Sequence, residues 1–341
     1  MTIGQGGVPA ALSYFAVFQE DAFGTVTGLT AGTNGTAFEP LSFGIKTEIE
    51  SQKLDTISRN RGTAKRVQLN KTVAGAVETF LHPFESSRFL FNVMGGTVTS
   101  AGGSTNVYIH SITAGNFSHT ALASLAIKSR VGSSHYRKYI GGRVNQLTIS
   151  GNIGEPIKMS AEMIFGDMTM TSSDSIDGTL SLSTKLPFTF DQANFIYAAT
   201  TASLTTTNKE FIESFEFTIN NNLDESRALG TNGVVCLPPK RREVGLKFTQ
   251  RFDTTTAYDR FVAQTASAVE IRIEGASLSS SQNDQLSIIL PKVYFNSPDP
   301  TVDGGSEILR MEIECDVVCD NPMTTTGKDV GMTLYNGTAS Y

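Results

Sequence analysis

Two stretches of the sequence alternate apolar and polar residues with a strict period of two, and they constrain the fold more than any other feature. The apolar positions of the first are Ile157, Met159, Ala161, Met163 and Phe165. Those of the second are Leu309, Met311, Ile313, Cys315 and Val317. Because successive side chains of a strand point to opposite faces, each stretch predicts a β-strand with one buried face.

The segments around these strands follow in the same order in both halves of the chain. Each half has an aromatic strand (12–18 and 188–197), a hairpin with a long loop, a helix, a strand and a closing hairpin. The separation between Phe43 and Phe215 is the same as that between Phe89 and Phe261. The repeated order predicts an internal duplication. We expect one domain over 1–167, a Ser/Thr-rich linker over 168–185 and a second domain over 186–341.

Each half contains one segment with the apolar spacing of an amphipathic helix. The stretch FESSRFLFNVMGG predicts a helix near 84–94 that ends at Gly95-Gly96. The stretch DTTTAYDRFVAQ predicts a second helix near 254–264, with Asp253 or Thr254 as its N-cap. The predicted fold class is therefore mainly β, with two β-sandwich or small-barrel domains that each carry one flanking α-helix.

The two hairpin loops, roughly 50–66 and 220–243, are long and basic. Long ordered loops are uncommon unless they have a function. We therefore expect them to contact another subunit, with solvated loop charges as the alternative. Their basic residues are Arg59, Arg61, Lys65, Arg66, Lys240, Arg241 and Arg242.

Composition excludes several classes of partner. The formal net charge of −6 argues against a general nucleic-acid binder and against an anionic membrane surface, since both demand a basic excess. The longest early apolar stretch, VPAALSYFAVF, is too short to span a bilayer and has no preceding positive charge. Three cysteines form no disulfide framework. These features predict synthesis in a reducing cytoplasm and no membrane partner.

No constellation of catalytic or metal-binding residues is present in the sequence. The four histidines are scattered singly, without the spacing of a metal site. Cys315 falls in the buried series of its strand and is expected to be a small core residue. The acidic positions Glu312, Glu314 and Asp316 are compatible with a cation site, but a solvated strand face is the favoured interpretation. We predict no enzyme activity, no metal and no cofactor.

Several segments resemble the tail tube proteins of tailed bacteriophages, of the kind found in siphoviruses. They are ALSYFAVFQEDAFGT, HPFESSRFLFNVMGG, YIGGRVNQLTISGNIGEPIKMSAEMIFGD and LSIILPKVYFNSPDP, and they extend from about residue 10 to residue 320. The resemblance implies β domains with one helix that assemble edge to edge. Six such domains would close a ring, and rings would stack through a long hairpin loop into a tube that conducts DNA from the virion into the host.

Two tube domains per chain would make the ring a homotrimer with pseudo-sixfold symmetry, with a homohexamer as the alternative. The resemblance also implies tail terminator, tape-measure and tail-tip proteins as partners, and a place in the virion after synthesis in the host bacterial cytoplasm. DNA would pass without specific binding. The candidates for the channel lining or a domain contact are the polar residues of the closing strands, Lys158, Ser160, Glu162, Arg310, Glu312 and Glu314.

Two other classes of function stay open from the residues alone. One is a different self-assembling β-rich subunit, either a virion protein or a surface-layer protein. The other is a carbohydrate-binding β-sandwich, for which exposed Trp or Tyr platforms would be expected, whereas the chain has no Trp.

Overall fold

The computed structural model describes residues 13–25, 35–54, 65–102, 107–114, 122–132, 135–171, 182–279, 282–296, 308–322 and 327–338. Within these ranges the chain forms nineteen β-strands and two α-helices. The predicted mainly β class is confirmed.

The first half, up to residue 171, contains eleven of these strands and one helix. They are β1 (Tyr14–Gln19), β2 (Gly35–Phe38), β3 (Pro40–Phe43), β4 (Lys46–Leu54), β5 (Lys65–Phe80), α1 (Ser87–Met94), β6 (Gly95–Gly102), β7 (Tyr108–Ala114), β8 (Leu125–Val131), β9 (His135–Asn152), β10 (Lys158–Phe165) and β11 (Asp167–Thr171).

The second half, from residue 182, contains the other eight strands and the second helix. They are β12 (Ala193–Ala198), β13 (Lys209–Glu210), β14 (Ile212–Asn220), β15 (Glu243–Arg251), α2 (Thr256–Val262), β16 (Ser267–Ser279), β17 (Gln282–Asn296), β18 (Arg310–Val317) and β19 (Gly331–Asn336).

The two halves repeat the same antiparallel pairing order. In the first half, β4 pairs with β5, then β10, β9, β8 and β1 follow as successive neighbours. In the second half, β14 pairs with β15, then β18, β17, β16 and β12 follow. The helix follows the second strand of the order in each half. Each of these six strands, and the helix, therefore has a counterpart in the other half.

Strands also pair across the boundary between the halves. The second part of β9 pairs with β14, so that Phe217 lies opposite Ile149. The strand β19 pairs with β7, so that Leu334 lies opposite His110. One cluster of buried apolar side chains runs through both halves. The division into two domains at 168–185 stays a prediction.

A bend at two glycines allows β9 to pair with strands of two different sheets. Before the bend β9 pairs with β8 and β11, and after it with β10 and β14. Gly141 has a φ of +65°, a left-handed conformation that L side chains rarely adopt. At Gly142 a Cβ atom would lie 2.3 Å from the Phe165 ring and 2.7 Å from the Leu125 carbonyl oxygen. The close approach of the two sheets thus requires glycine at this position.

Both helices are confirmed but are shorter than predicted. The helix α1 begins at Ser87 and ends at Gly95, whose φ of +64° and N–H donation to the Phe91 carbonyl form the expected glycine stop. The N-cap position of α2 is Thr255 rather than Asp253 or Thr254. Only one residue of α2, Ala257, is buried, so this helix packs far less of its surface than α1 does.

Two segments predicted as loop or linker are partly strand. Residues 50–54 end β4 and residues 65–66 begin β5, so the loop prediction is wrong for them, and residues 55–64 lie outside the described ranges. Residues 168–171 belong to β11, which pairs with β9. Of the predicted linker, 172–181 lie outside the described ranges.

The two alternating stretches bury the faces predicted from their period. Ile157, Met159, Met163 and Phe165 are fully buried in the first stretch. Met311, Ile313 and Cys315 are buried in the second, while Leu309 precedes β18 and is only partly covered. The outward residues of β10 and β18 are therefore left on the accessible face of the sheet.

Adding a methyl group at Gly142 should destabilise the fold. The new carbon would contact the Leu125 carbonyl oxygen, which cannot move away without disturbing the pairing of β8 with β9. We expect Gly142→Ala to lower the free energy of unfolding by about 1–3 kcal/mol in urea denaturation. Gly331→Ala is the matched control, since nothing lies within 4 Å of its new methyl group. Equal stability of the two variants would contradict this explanation of the bend.

Candidate assembly surfaces

One antiparallel sheet crosses both halves in the order β4, β5, β10, β9, β14, β15 and β18. The register places Lys158, Ser150, Glu216, Lys247 and Glu314 in one row across five of these strands. The predicted polar residues of β10 and β18, which are far apart in sequence, therefore lie on the same face of one sheet. We call this the polar face.

Acidic side chains outnumber basic ones on the polar face. The accessible acidic residues at its outward positions are Glu48, Glu78, Glu162, Glu216, Glu243, Glu312, Glu314 and Asp316. The accessible basic residues there are Lys46, Lys158, Lys247, Arg251 and Arg310. The polar face thus carries a net negative charge.

Ion pairs neutralise part of the basic set. The Lys247 ammonium lies 2.6 Å from a Glu314 carboxylate oxygen. The Arg251 and Arg310 guanidinium groups lie 2.9 Å and 2.6 Å from the Glu213 carboxylate, and their hydrogen bonds hold the pKa of Glu213 below its usual value. Glu162, in contrast, makes no ion pair within the described residues. The pairs therefore leave the acidic excess uncompensated.

The outermost strand of this sheet has one unpaired edge. Among the described strands, β4 pairs only with β5. Its counterpart β14 pairs on both sides, with β15 and with β9. An exposed strand edge presents free backbone donors and acceptors that a further strand can pair with.

The β4–β5 hairpin extends beyond the rest of the sheet. Its outer arms, 49–54 and 65–72, pair only with each other. The side chains of Ile49, Val67 and Leu69 are 51%, 41% and 37% exposed, which is unusual for apolar residues of paired strands. We call this segment the projecting hairpin.

Two of the predicted basic contact residues lie at the described end of the projecting hairpin. Lys65 and Arg66 are both exposed. The Arg66 guanidinium donates to the Ser51 hydroxyl at 2.6 Å and 2.8 Å, which ties one arm to the other. Arg59 and Arg61 fall outside the described residues.

The corresponding segment of the second half, 221–242, folds back onto the first half instead. The Asn221 side chain donates to the Val93 and Val144 carbonyl oxygens at 2.9 Å and 3.2 Å. The Arg227 guanidinium donates to the Lys71 carbonyl oxygen at 3.1 Å. We call this segment the folded loop, and it covers the middle of β5 at Lys71 and the middle of β9 at Val144.

The basic residues of the folded loop differ in their surroundings. Lys240 is paired with Asp224 at 2.6 Å. The Arg242 guanidinium makes two contacts with the Asp329 carboxylate, at 2.6 Å and 2.9 Å. Arg241 is exposed and makes no ion pair within the described residues. Of this predicted group, Arg241 is thus the cation best placed to meet another molecule.

A buried polar junction that was not predicted from the sequence fixes the bend in β9. The Glu20 carboxylate accepts hydrogen bonds from the backbone N–H groups of Gly24 and Gly141, at 2.9 Å and 2.8 Å. Burial raises the pKa of Glu20 despite these hydrogen bonds. The Arg143 guanidinium donates to the Leu237 carbonyl oxygen at 2.6 Å, so the junction also anchors the folded loop.

The titratable groups of the described residues form no metal-binding cluster. No group of three or more His, Cys, Asp or Glu side chains able to hold a metal occurs in the described ranges. His110 is buried and hydrogen-bonded to Asn336 at 3.1 Å. Burial raises the pKa of the Cys315 thiol, as the prediction of a small core residue implies.

These features define a mainly β protein with an acidic sheet face, an open sheet edge and a projecting hairpin. The profile of the phage tail tube protein family matches residues 10–317, and the chain belongs to that family. The protein is accordingly a structural protein of the bacteriophage tail. A search of curated proteins finds no match to the chain. Neither described helix has the length and apolar character needed to cross a membrane.

Proposed function

We propose that copies of this chain pair edge to edge into rings, and that the rings stack into a passive tube for DNA ejection. The observation that carries the proposal is the contrast between two counterpart strands. In the second half β14 already pairs with the first half through β9, whereas the counterpart edge of β4 is open. A neighbouring copy can cover that edge in the way that β9 covers β14.

Such pairing is head to tail, because the open edge lies in the first half and its partner lies in the second half of the neighbour. Head-to-tail contacts close into a ring when the rotation between copies permits it. We propose two tube domains per chain, over 1–167 and 186–341, and three chains per ring. The alternative is a homohexamer in which each chain acts as a single unit.

The polar face is the proposed wall of the channel. Its opposite face carries the buried core, so only the polar face can line an aqueous bore. The candidates for the lining are Lys158, Ser160, Glu162, Arg310, Glu312 and Glu314. An acidic wall repels phosphates, and DNA then moves through without being held. Transport of this kind requires no catalytic residue and no cofactor.

The basic hairpin and loop residues are the proposed contacts between rings. Lys65, Arg66 and Arg241 are exposed and free to meet acidic residues of the next ring. The contact set also includes Arg59, Arg61, Lys240 and Arg242. Attraction between opposite charges gives stacking a direction and makes it sensitive to salt.

The place of action follows from the same proposal. The chain would be synthesised in the host bacterial cytoplasm and function in the virion tail. The ends of the tube would meet the tail terminator and tail-tip proteins, and the bore would contain the tape-measure protein before DNA passes. No membrane contact is proposed.

The stoichiometry of the ring tests the duplication. Three copies per ring should appear as threefold symmetry with a strong sixfold component, because counterpart halves alternate around the ring. Cryo-electron microscopy of assembled tubes measures the symmetry, and native mass spectrometry of isolated rings measures the number of chains. Six chains per ring would overturn the two-domain interpretation.

Reversing charge on the projecting hairpin should shorten tubes without preventing ring formation. We expect the double variant Lys65→Glu and Arg66→Glu to give fewer and shorter tubes, with a difference from wild type that varies with ionic strength. Lys209→Glu, on an exposed strand in the second half, serves as the control. Tube lengths in negative-stain images provide the measurement, and unchanged tubes would show that these charges are merely solvated.

Making the proposed bore basic should make the tube retain DNA. We expect tubes of the triple variant Glu162→Lys, Glu216→Lys and Glu312→Lys to bind DNA at low salt and release it as salt rises. Wild-type tubes should bind little at any salt concentration. Co-sedimentation of tubes with labelled DNA measures the effect. Strong binding by wild type, or a bore lined mainly by Lys and Arg, would contradict the sliding mechanism.

A further inference from the structure

We propose that a groove on the second half receives the projecting hairpin of a second copy, an inference that rests on the proposed ring. The groove has a volume of about 1170 Å³. It is lined by the start of β15, by the end of β18, and by Pro322, Gly327 and Asp329.

The equivalent place on the first half is already filled by the chain itself. In the second half Asp316 of β18 lies opposite Gly245 of β15. In the first half Ile164 of β10 lies opposite Ala74 of β5. These registers make Asp316 the counterpart of Ile164 and Gly245 the counterpart of Ala74. The first-half site is occupied by the folded loop, because the Lys71 N–H donates to the Asn232 carbonyl oxygen at 2.7 Å.

The same alignment identifies the groove as the counterpart of that filled site. It places Arg242 in the position of Lys71 and Val318 in the position of Gly166. The folded loop lies close to Gly166, since a Cβ atom on Gly233 would be 3.3 Å from the Gly166 carbonyl oxygen. Arg242 and Val318 both line the groove, and Val318 is 41% exposed. Among the described residues, no segment covers the groove in the way that the folded loop covers its counterpart.

The projecting hairpin is the counterpart of the folded loop. Glu48 lies opposite Thr72 as Asn220 lies opposite Glu243, so the segments 49–71 and 221–242 begin and end at equivalent positions. The two segments are also almost equal in length. The folded loop extends from the second half and contacts the first half of its own chain. If neighbouring halves around the ring are related in the same way, the hairpin of a first half contacts a second half.

The second half in question must belong to another copy. In the sheet order the hairpin lies at β4 and β5, whereas the groove lies at β15 and β18. Four strand spacings separate β5 from β15, which is roughly 19 Å at the usual distance between neighbouring strands. The hairpin is at the outer edge and extends along its own strands, so it cannot fold across to its own groove.

The exposed side chains of the two partners are complementary. The hairpin offers the apolar residues Ile49, Val67 and Leu69 to Val318. Its described arms also carry four basic residues, Lys53, Lys65, Arg66 and Lys71, and one acidic residue, Glu50. The lining of the groove carries both signs of charge, with Lys240, Arg241 and Arg242 beside Glu243, Asp316 and Asp329. Glu243 and Asp316 are exposed and make no ion pair within the described residues, and the same is true of Arg241. Because basic and acidic residues balance in the groove, the apolar side chains of the hairpin, rather than its charges, carry the proposed contact.

A cysteine cross-link tests the contact directly, because Cys319 already lines the groove. In a Cys236→Ser background, which removes the exposed cysteine elsewhere, we introduce Val67→Cys and treat assembled rings with a short bismaleimide. We expect covalent dimers and trimers on a denaturing gel, and their loss when Cys319→Ser is added. Gln68→Cys, on the opposite side of the hairpin, is the matched control and should cross-link at least about tenfold less.

A second variant measures the contact without a cross-link. Val318→Arg places a charge in the groove and should raise the protein concentration needed for ring formation by about tenfold or more. Leu229→Arg is the control, since Leu229 is fully exposed on the folded loop and does not line the groove.

The outcomes separate this inference from the proposed function. Rings and tubes that form with no Val67–Cys319 cross-link, or with Val318→Arg assembling like wild type, would overturn the groove contact and leave the tube intact. A wild-type chain that forms neither rings nor tubes would overturn both. Cross-linking in the dispersed protein at the same level as in rings would also overturn the inference, because the contact would then not depend on assembly.

Discussion

The pairing of β9 with β14 is the interaction on which the rest of the structure depends. It joins the two halves by backbone hydrogen bonds along a row of residues from Gln146 to Asn152, and it makes one sheet out of strands from both. The pairing is possible because β9 leaves its first sheet at Gly141. The same bend is held by Glu20 and, through Arg143, by the folded loop.

The acidic excess of the polar face has a structural origin in this sheet. Strands from both halves contribute outward carboxylates, and several basic residues are engaged in ion pairs such as that of Lys247 with Glu314. Exposed pairs of this kind contribute little to stability. Their main effect is on the potential above the sheet, which remains negative because partners are lacking for residues such as Glu162. The surface is therefore suited to repelling polyanions rather than to binding them.

Local pattern in the sequence could predict the elements that bury one face. The period of two in β10 and β18 identified both strands and their inward residues, and Gly95 marked the end of α1. The alternation of Val67 and Leu69 identified the returning strand of the projecting hairpin. Residues 50–54 and 65–66 were predicted as loop instead, because they are almost all polar and show no alternation of apolar residues. The predicted α2 was also two residues too long at each end. At its C-terminal end Gln264 has a φ of +49°, which no helical residue adopts, and the apolar spacing of the segment does not signal it.

The polar junction and the folded loop could not be predicted for a different reason. The hydrogen bonds of Glu20 to Gly141 and of Arg143 to Leu237 join residues that are far apart in sequence, and their partners are backbone groups with no signature of their own. The stretch QEDAFGT, noted for its resemblance, contains Glu20 and is the only local signal. The assembly residues predicted from charge alone, such as Arg241 and Lys65, are accessible, but the contacts proposed for them lie in other copies.

The divergence of the projecting hairpin from the folded loop has a consequence for whatever meets the rim of a ring. In a ring of identical single-domain subunits every rim position is equivalent, and no position can change without changing all of them. Here two kinds of loop would alternate around the rim. One kind could keep the ring closed while the other diverged to recognise a terminal protein, so duplication would separate a mechanical role from a recognition role within one chain.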